Sequence, residues 1–192
     1  MTDRLHAEDA DRQLAMVNAR LGSALDSCRT NIMVADADYN LVYLNDTMSE
    51  MMRGNEAALR EDLPNFDARN LVGSNIDIFH KSPAHQRGIL DALSSTTETS
   101  LVIGGLDFDL VVSPIVDDAG ERIGTVVEWA DVTAENARQR EAKSQADENS
   151  RIRSALDKCS TNVMLADPDL NIVYMNDTMT SMMRGAEADL RK

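Results

Sequence analysis

The sequence predicts an α+β domain: a five-stranded antiparallel sheet with short helices on one face, flanked by a helix at each end. Three observations predict it. Two β-type segments come first, several short helical segments follow, and three β-type segments close the unit. Tight-turn residues separate the strands, as at Gly104-Gly105 and Asp117-Asp118-Ala119-Gly120. The opening of this unit then recurs about 130 residues later, from Ser154-Ala155-Leu156-Asp157 onward.

The elements follow in order. Residues 8–27 read as a helix, with Leu14, Val17, Leu21, Ala24 and Cys28 at alternating spacings of three and four, the seam of a short coiled coil. Asn31–Asp36 and Asn40–Leu44 form a hairpin around Asp36-Ala37-Asp38. Asn45-Asp46 caps a short helix that ends at Gly54, and residues 55–62 make another helical piece. A loop containing Pro64 leads to Gly73, and residues 75–80 form one helical turn. Pro83 suits the first turn of a helix reaching Leu93, with Ile89, Leu90 and Leu93 on its apolar face. Strands are expected over 97–103, 106–116 and 123–130, the second alternating Phe108, Leu110 and Val112 on one face.

Residues 134–157 are rich in Ala, Glu, Gln, Arg and Lys, a strong helix former with little apolar stripe. They read either as a signalling linker or as a solvated spacer. The domain organisation expected is an amphipathic helix over 1–22, a complete domain over 23–133, a helical linker over 134–153 and the truncated start of a second copy over 154–192. Asn45-Asp46-Thr47-Met48 matches Asn176-Asp177-Thr178-Met179, and Met51-Met52-Arg53-Gly54 matches Met182-Met183-Arg184-Gly185. The second copy reaches the equivalent of Glu61, so its apolar faces, from about residue 158, should be poorly covered.

Composition narrows the function. A net charge of −14 opposes nucleic acid and anionic membrane as partners. No apolar stretch is long enough for a bilayer and the N-terminus lacks a secretory core, so the expected location is cytoplasmic. Cys28 and Cys159 occupy the same place in the two copies, which explains them better than a disulfide. Eleven methionines suit an adaptable pocket or interface as well as ordinary core packing. No Gly-rich phosphate loop, nucleophile triad or Cys/His metal pattern is present, and Asp36 and Asp38 are turn formers, so no enzyme is expected.

The motifs Ala35-Asp36, Tyr43-Leu44-Asn45, Glu121-Arg122-Ile123-Gly124 and Asp131-Val132-Thr133 resemble those of a PAS domain. The resemblance covers residues 23–133 and resumes at 154. It implies the PAS fold, with Asp131 anchoring the outgoing helix and Asp131 and Thr133 as signalling residues. The run Leu63-Pro64-Asn65-Phe66-Asp67, with Gly73 through Arg87, is similar to PAS domains of cytoplasmic methyl-accepting chemotaxis receptors, above all the heme-binding, oxygen-sensing kind of aerotaxis-type receptors. That resemblance implies heme b held by His80 on the turn before the long helix. It also implies Trp129 as the distal residue contacting bound gas, and Leu110 as a pocket wall. Its further implications are oxygen or another diatomic gas as ligand, a homodimer, and a downstream chemoreceptor signalling domain with its kinase complex.

The residues alone leave alternatives open. A lone histidine such as His80 is more often a capping or surface residue than a ligand, although neutral imidazole is the commonest proximal donor to heme iron. His85 lies about 140° farther round a regular helix, so it serves as an alternative ligand and not as a partner. Trp129 is either a core tryptophan or an N–H donor to a bound ligand. A cofactor-free PAS dimerisation and relay module is the rival reading. A flavin-binding redox type would call for more aromatic and polar ring-binding residues than this chain carries.

Overall fold

The computed structural model describes residues 2–80 and 82–190; Met1, Lys81, Arg191 and Lys192 lie outside them. It divides into two units, Met1–Ala134 and Glu135–Lys192. The first unit begins with α1 (Thr2–Asp26), six residues longer at its N-terminus than the periodic apolar seam predicts. Strands β1 (Asn31–Asp36) and β2 (Leu41–Leu44) form the first hairpin. Helices α2 (Asp46–Gly54) and α3 (Glu56–Asp62), a 3-10 turn over Ile76–Phe79 and α4 (Pro83–Asp91) come next. Strands β3 (Thr97–Ile103), β4 (Leu106–Val116) and β5 (Arg122–Asp131) complete a five-stranded sheet in the order β2-β1-β5-β4-β3. Every pairing is antiparallel, so the fold class matches the expectation.

The β1–β2 turn is built by the Asp36 carboxylate. It accepts the backbone N–H groups of Asp38 at 2.9 Å and Asn40 at 2.8 Å, and these hydrogen bonds hold it below the usual carboxylate range. The turn sets Tyr39 at φ 68°, a left-handed conformation that a bulky side chain seldom adopts. Leu170 repeats it at φ 67° in the second unit.

Asn45 does more than cap α2. Its Oδ1 accepts Ile32 N–H at 2.9 Å and Met48 N–H at 3.1 Å, and its Nδ2 donates to the carbonyls of Leu25 and Thr30 at 3.1 and 2.8 Å. One fully buried side chain thus ties the end of α1, β1 and α2 together. Nearby, Tyr43 donates its hydroxyl to Asp26 at 2.6 Å. The core lies between the sheet and the short helices, around Met48, Met52, Leu59, Phe66, Phe79 and Phe108.

The second unit contains most of α5 (Thr133–Asp157), then β6 (Met164–Ala166), β7 (Ile172–Met175) and α6 (Asp177–Leu190). Its hairpin repeats the β1–β2 register, and Asn176 repeats the Asn45 bonds to Val163, Met179, Leu156 and Thr161. Met164 and Ile172 are exposed, where the equivalent Met33 and Leu41 of the first unit are buried. Gly185 does not end α6, which runs on to Leu190. The break after α2 comes instead at Asn55, which leaves helical geometry at φ −103°, ψ 5°. The second copy has Ala186 there, the strongest helix former.

Candidate functional site

The inner face of the sheet and the short helices enclose a cavity of about 440 Å³, within the ~300–1,000 Å³ usual for small-molecule sites. Met33 and Ala35 of β1, Leu110 and Val112 of β4, and Val127 and Trp129 of β5 form its floor. Cross-strand pairing aligns these residues: Leu110 lies opposite Trp129 and Val112 opposite Val127. Ile76, Phe79 and His80 contribute from the 3-10 turn, and Gln86, Ile89 and Leu90 from α4.

His80 is the C-cap of the 3-10 turn, and its Nδ1 lies 2.9 Å from the carbonyl oxygen of Ile76. A carbonyl only accepts, so Nδ1 carries the proton and Nε2 keeps its lone pair. Burial lowers the His80 pKa below the ordinary histidine value, against the smaller opposing effects of the Ile76 carbonyl and Asp77. Neutral imidazole with a free Nε2 is the state that can ligate a metal.

Trp129 is buried, with its ring 5.9 Å from that of Phe79 and 5.4 Å from that of Phe108. Its Nε1–H is buried and has no hydrogen-bond partner among the described residues. A buried indole N–H usually finds an acceptor, and leaving such a donor unpaired costs about 1–3 kcal/mol. Trp129 Nε1–H, without a partner among the described residues, and the His80 imidazole therefore line the same cavity.

His80, Leu110 and Trp129, singled out in the sequence, thus converge on one cavity. His85 does not line it; that residue flanks a shallower groove with His80, Asp62 and Ser82. Among the described residues no group of three or more His, Cys, Asp or Glu side chains could hold a metal ion. A macrocycle such as a porphyrin would meet Ile89, Leu90, Leu110 and Val127 there, beside the polar Gln86, Thr97, Glu98 and Thr99.

Sequence reasoning missed Tyr39, which lines the cavity and whose hydroxyl meets Asp91 of α4 and Arg122 of β5. Burial and the neighbouring Asp91 raise its pKa. The one local signal was the Asp36-to-Asn40 turn, which fixes Tyr39 in its left-handed conformation.

Strand β5 runs from the cavity floor to Asp131. At its end Asp131 accepts Thr133 N–H at 3.0 Å and the Thr133 hydroxyl at 2.6 Å. The same hydroxyl accepts Asp107 N–H at 3.0 Å, and Val132 N–H donates to the Asp107 carbonyl at 3.0 Å. The first residue of α5 is thereby fastened to both β4 and β5.

A sequence profile of the PAS domain matches residues 19–83 and again residues 150–191. The methyl-accepting chemotaxis protein McpB of Pseudomonas aeruginosa is 48% identical over 137 residues, covering 70% of this chain and 20% of that protein's length. A solved structure described as the Aer2 receptor from Vibrio cholerae, a dual PAS-heme oxygen sensor, is 38% identical and has a TM-score of 0.49 over 54% of this chain and 95% of that one. An RNA-binding light-oxygen-voltage receptor is 20% identical, with a TM-score of 0.47 over 69% of this chain and 38% of that one. With the profile matched over more than half of its residues, and a five-stranded antiparallel sheet covered by short helices, the chain belongs to the PAS domain family.

Proposed function

We propose that this chain is the sensory input module of a chemoreceptor and that its cavity binds heme b, with His80 as the axial ligand to iron and a diatomic gas such as oxygen as the sensed molecule. The buried, unpartnered Trp129 Nε1–H, sharing an apolar cavity with the His80 lone pair, carries this reading. When bound, heme supplies an iron atom with a coordination position for a gas.

The protein's own groups have separable roles. Ile76 holds the His80 tautomer through its carbonyl, the kind of outer contact that orients a ligating imidazole. Leu110 excludes water beside Trp129. Trp129 holds a donor with no acceptor among the described residues, free to meet one on a ligand or a water. Movement of the indole acts on β5, two residues before Asp131, and the Asp131–Thr133 contacts pass it to α5. A ligand signals only through a difference in affinity between two states.

The surrounding organisation belongs to the same proposal. Residues 23–133 form the sensing domain, 134–153 the linker, and 154–192 the start of a second PAS domain, a reading supported by the profile match over 150–191. The relative from Pseudomonas, a methyl-accepting chemotaxis protein, supports a downstream signalling domain and kinase complex as the output, and a role in signalling and not in catalysis; a cytoplasmic setting is part of the proposal. No helix among the described residues is long and apolar enough to cross a membrane.

The test is the absorption spectrum of protein expressed with heme supply. A Soret band in the wild type that is lost in His80→Ala supports the assignment; wild type that takes up no hemin overturns it. The rival, a cofactor-free dimerisation and relay module, draws on the exposure of Leu14, Val17 and Leu21 along α1. That reading requires a dimer, without chromophore, that dissociates when Leu14 and Leu21 are made polar.

A further inference from the structure

The cavity has one wall unlike the others. Helix α4 lines it through Gln86, Ile89 and Leu90, yet buries none of its own residues, and Ile89 stays 50% exposed. Leu90 packs half-buried against the core, and with so little apolar anchorage the position of the helix depends largely on its polar contacts.

Those contacts lie along one side. From the middle of the helix Arg87 reaches back to the 3-10 turn, with Nη2 2.5 Å and Nε 3.2 Å from the two oxygens of Asp77. At its last residue Asp91 accepts the Tyr39 hydroxyl from the β1–β2 turn and lies 3.4 Å from Arg122 Nη2 at the start of β5. Arg122 also donates to the Tyr39 hydroxyl at 3.0 Å and to the Ala37 carbonyl at 3.2 Å. The guanidinium groups of Arg87 and Arg122 lie 5.5 and 4.8 Å from the Tyr39 ring centre. Toward β3, His85 and Gln86 of α4 share an open groove with Leu101, Val102 and Ile103, and Thr97, Thr99 and Leu101 of that strand line the cavity. Among the described residues no hydrogen bond or ion pair joins α4 to β3. One edge of the helix is latched and the other is a seam.

We infer that Tyr39, Arg87, Asp91 and Arg122 are positioning residues that latch α4 over the cavity, and that a planar apolar ligand loads through the seam between α4 and β3 when the latch opens. This rests on reading the cavity as a ligand site, but not on the ligand being heme. The latch combines partly exposed ion pairs, which hold weakly, with a Tyr39 hydroxyl bonded to two charged groups, so it closes with fixed geometry and opens at modest cost. Because Arg122 begins β5, the same latch couples the wall of the cavity to the strand that carries Trp129 and Asp131.

Two measurements test it. Native-state hydrogen exchange on the ligand-free protein should show the amides of residues 87–91 exchanging before those of β1 and β5. Asp91→Asn and Tyr39→Phe should each speed that exchange about tenfold, the loss of one hydrogen bond to a charged group, leaving β1 and β5 protected. Stopped-flow mixing with hemin should show association and loss both faster by a similar factor, with the Soret position unchanged. A merely structural role would instead weaken the whole sheet and slow or abolish uptake. If α4 in the wild type exchanges only with global unfolding, or if breaking the latch leaves its exchange unchanged, the inference is overturned. If the wild type takes up no hemin, the heme reading falls and hydrogen exchange alone decides the latch.

Discussion

His80 Nδ1 donates to the carbonyl of Ile76 across 2.9 Å, within a single turn of backbone. The bond fixes which nitrogen is free, and burial keeps the ring neutral. A proton competes with a metal for the same lone pair, so the direction of the pKa shift sets the pH range of binding.

Burial depresses the folded-state His80 pKa below the ordinary value of about 6.5, so the unfolded chain binds a proton that the folded chain does not. His80 therefore lowers stability as the pH falls through about 6.5, and its effect levels off below the depressed folded value. Urea unfolding of the ligand-free protein between neutral and mildly acidic pH should show this slope, and His80→Ala should flatten it. Hemin affinity should hold to lower pH than for an exposed histidine. An unchanged slope in His80→Ala would mean that another group titrates.

Trp129→Phe should separate binding from stability. The substitution removes a buried donor that lacks a partner, which is worth about 1–3 kcal/mol, while the smaller ring sacrifices packing against Phe79 and Phe108. These effects oppose each other, so thermal unfolding of the ligand-free protein should move little. In the heme-loaded protein, oxygen dissociation should quicken about tenfold, the value of one hydrogen bond. Unchanged oxygen release would remove Trp129 from the ligand's surroundings.

Asn45→Ala and Asn45→Asp probe the tie between α1 and the core. Alanine strips Ile32 N–H and Met48 N–H of their acceptor, costing about 2–4 kcal/mol. For a domain of this size that is a fall in Tm of roughly 10–20 °C. Aspartate keeps both acceptor bonds but sets a carboxylate oxygen against the Leu25 and Thr30 carbonyls. Its destabilisation should therefore concentrate in faster hydrogen exchange over residues 20–30. Uniform weakening of the sheet by Asn45→Asp would contradict that division.

Much of this organisation could be read locally. Strand alternation, Gly104-Gly105, Asp117-Asp118-Ala119-Gly120 and the repeated Asn-Asp-Thr-Met caps each act within a few residues, so the sequence displays them directly. The Tyr39–Asp91–Arg122 cluster was hidden because its members come from three distant segments and meet only when the sheet closes. Gly54 ends α2 as the sequence predicts, whereas the length of α6 was hidden in a single replacement, Ala186 where the first copy has Asn55.

Gly104 and Gly105 look interchangeable in the sequence and should not behave alike. Both have positive φ, 56° and 75°, so a side chain at either is strained by about 1–2 kcal/mol. A Cβ on Gly105 would meet open space, whereas one on Gly104 would lie 1.9 Å from the carbonyl oxygen of Ala58 in α3. Gly104 N–H also donates to Asp62 at 2.8 Å, so the β3–β4 turn is seated on the end of α3. Gly105→Ala should cost about 1 kcal/mol, and Gly104→Ala about 3 kcal/mol or more, because the turn must also lift away from α3. Chemical denaturation of the two variants measures the difference. Equal costs would mean that the turn does not bear on α3, and that only the backbone conformation matters there.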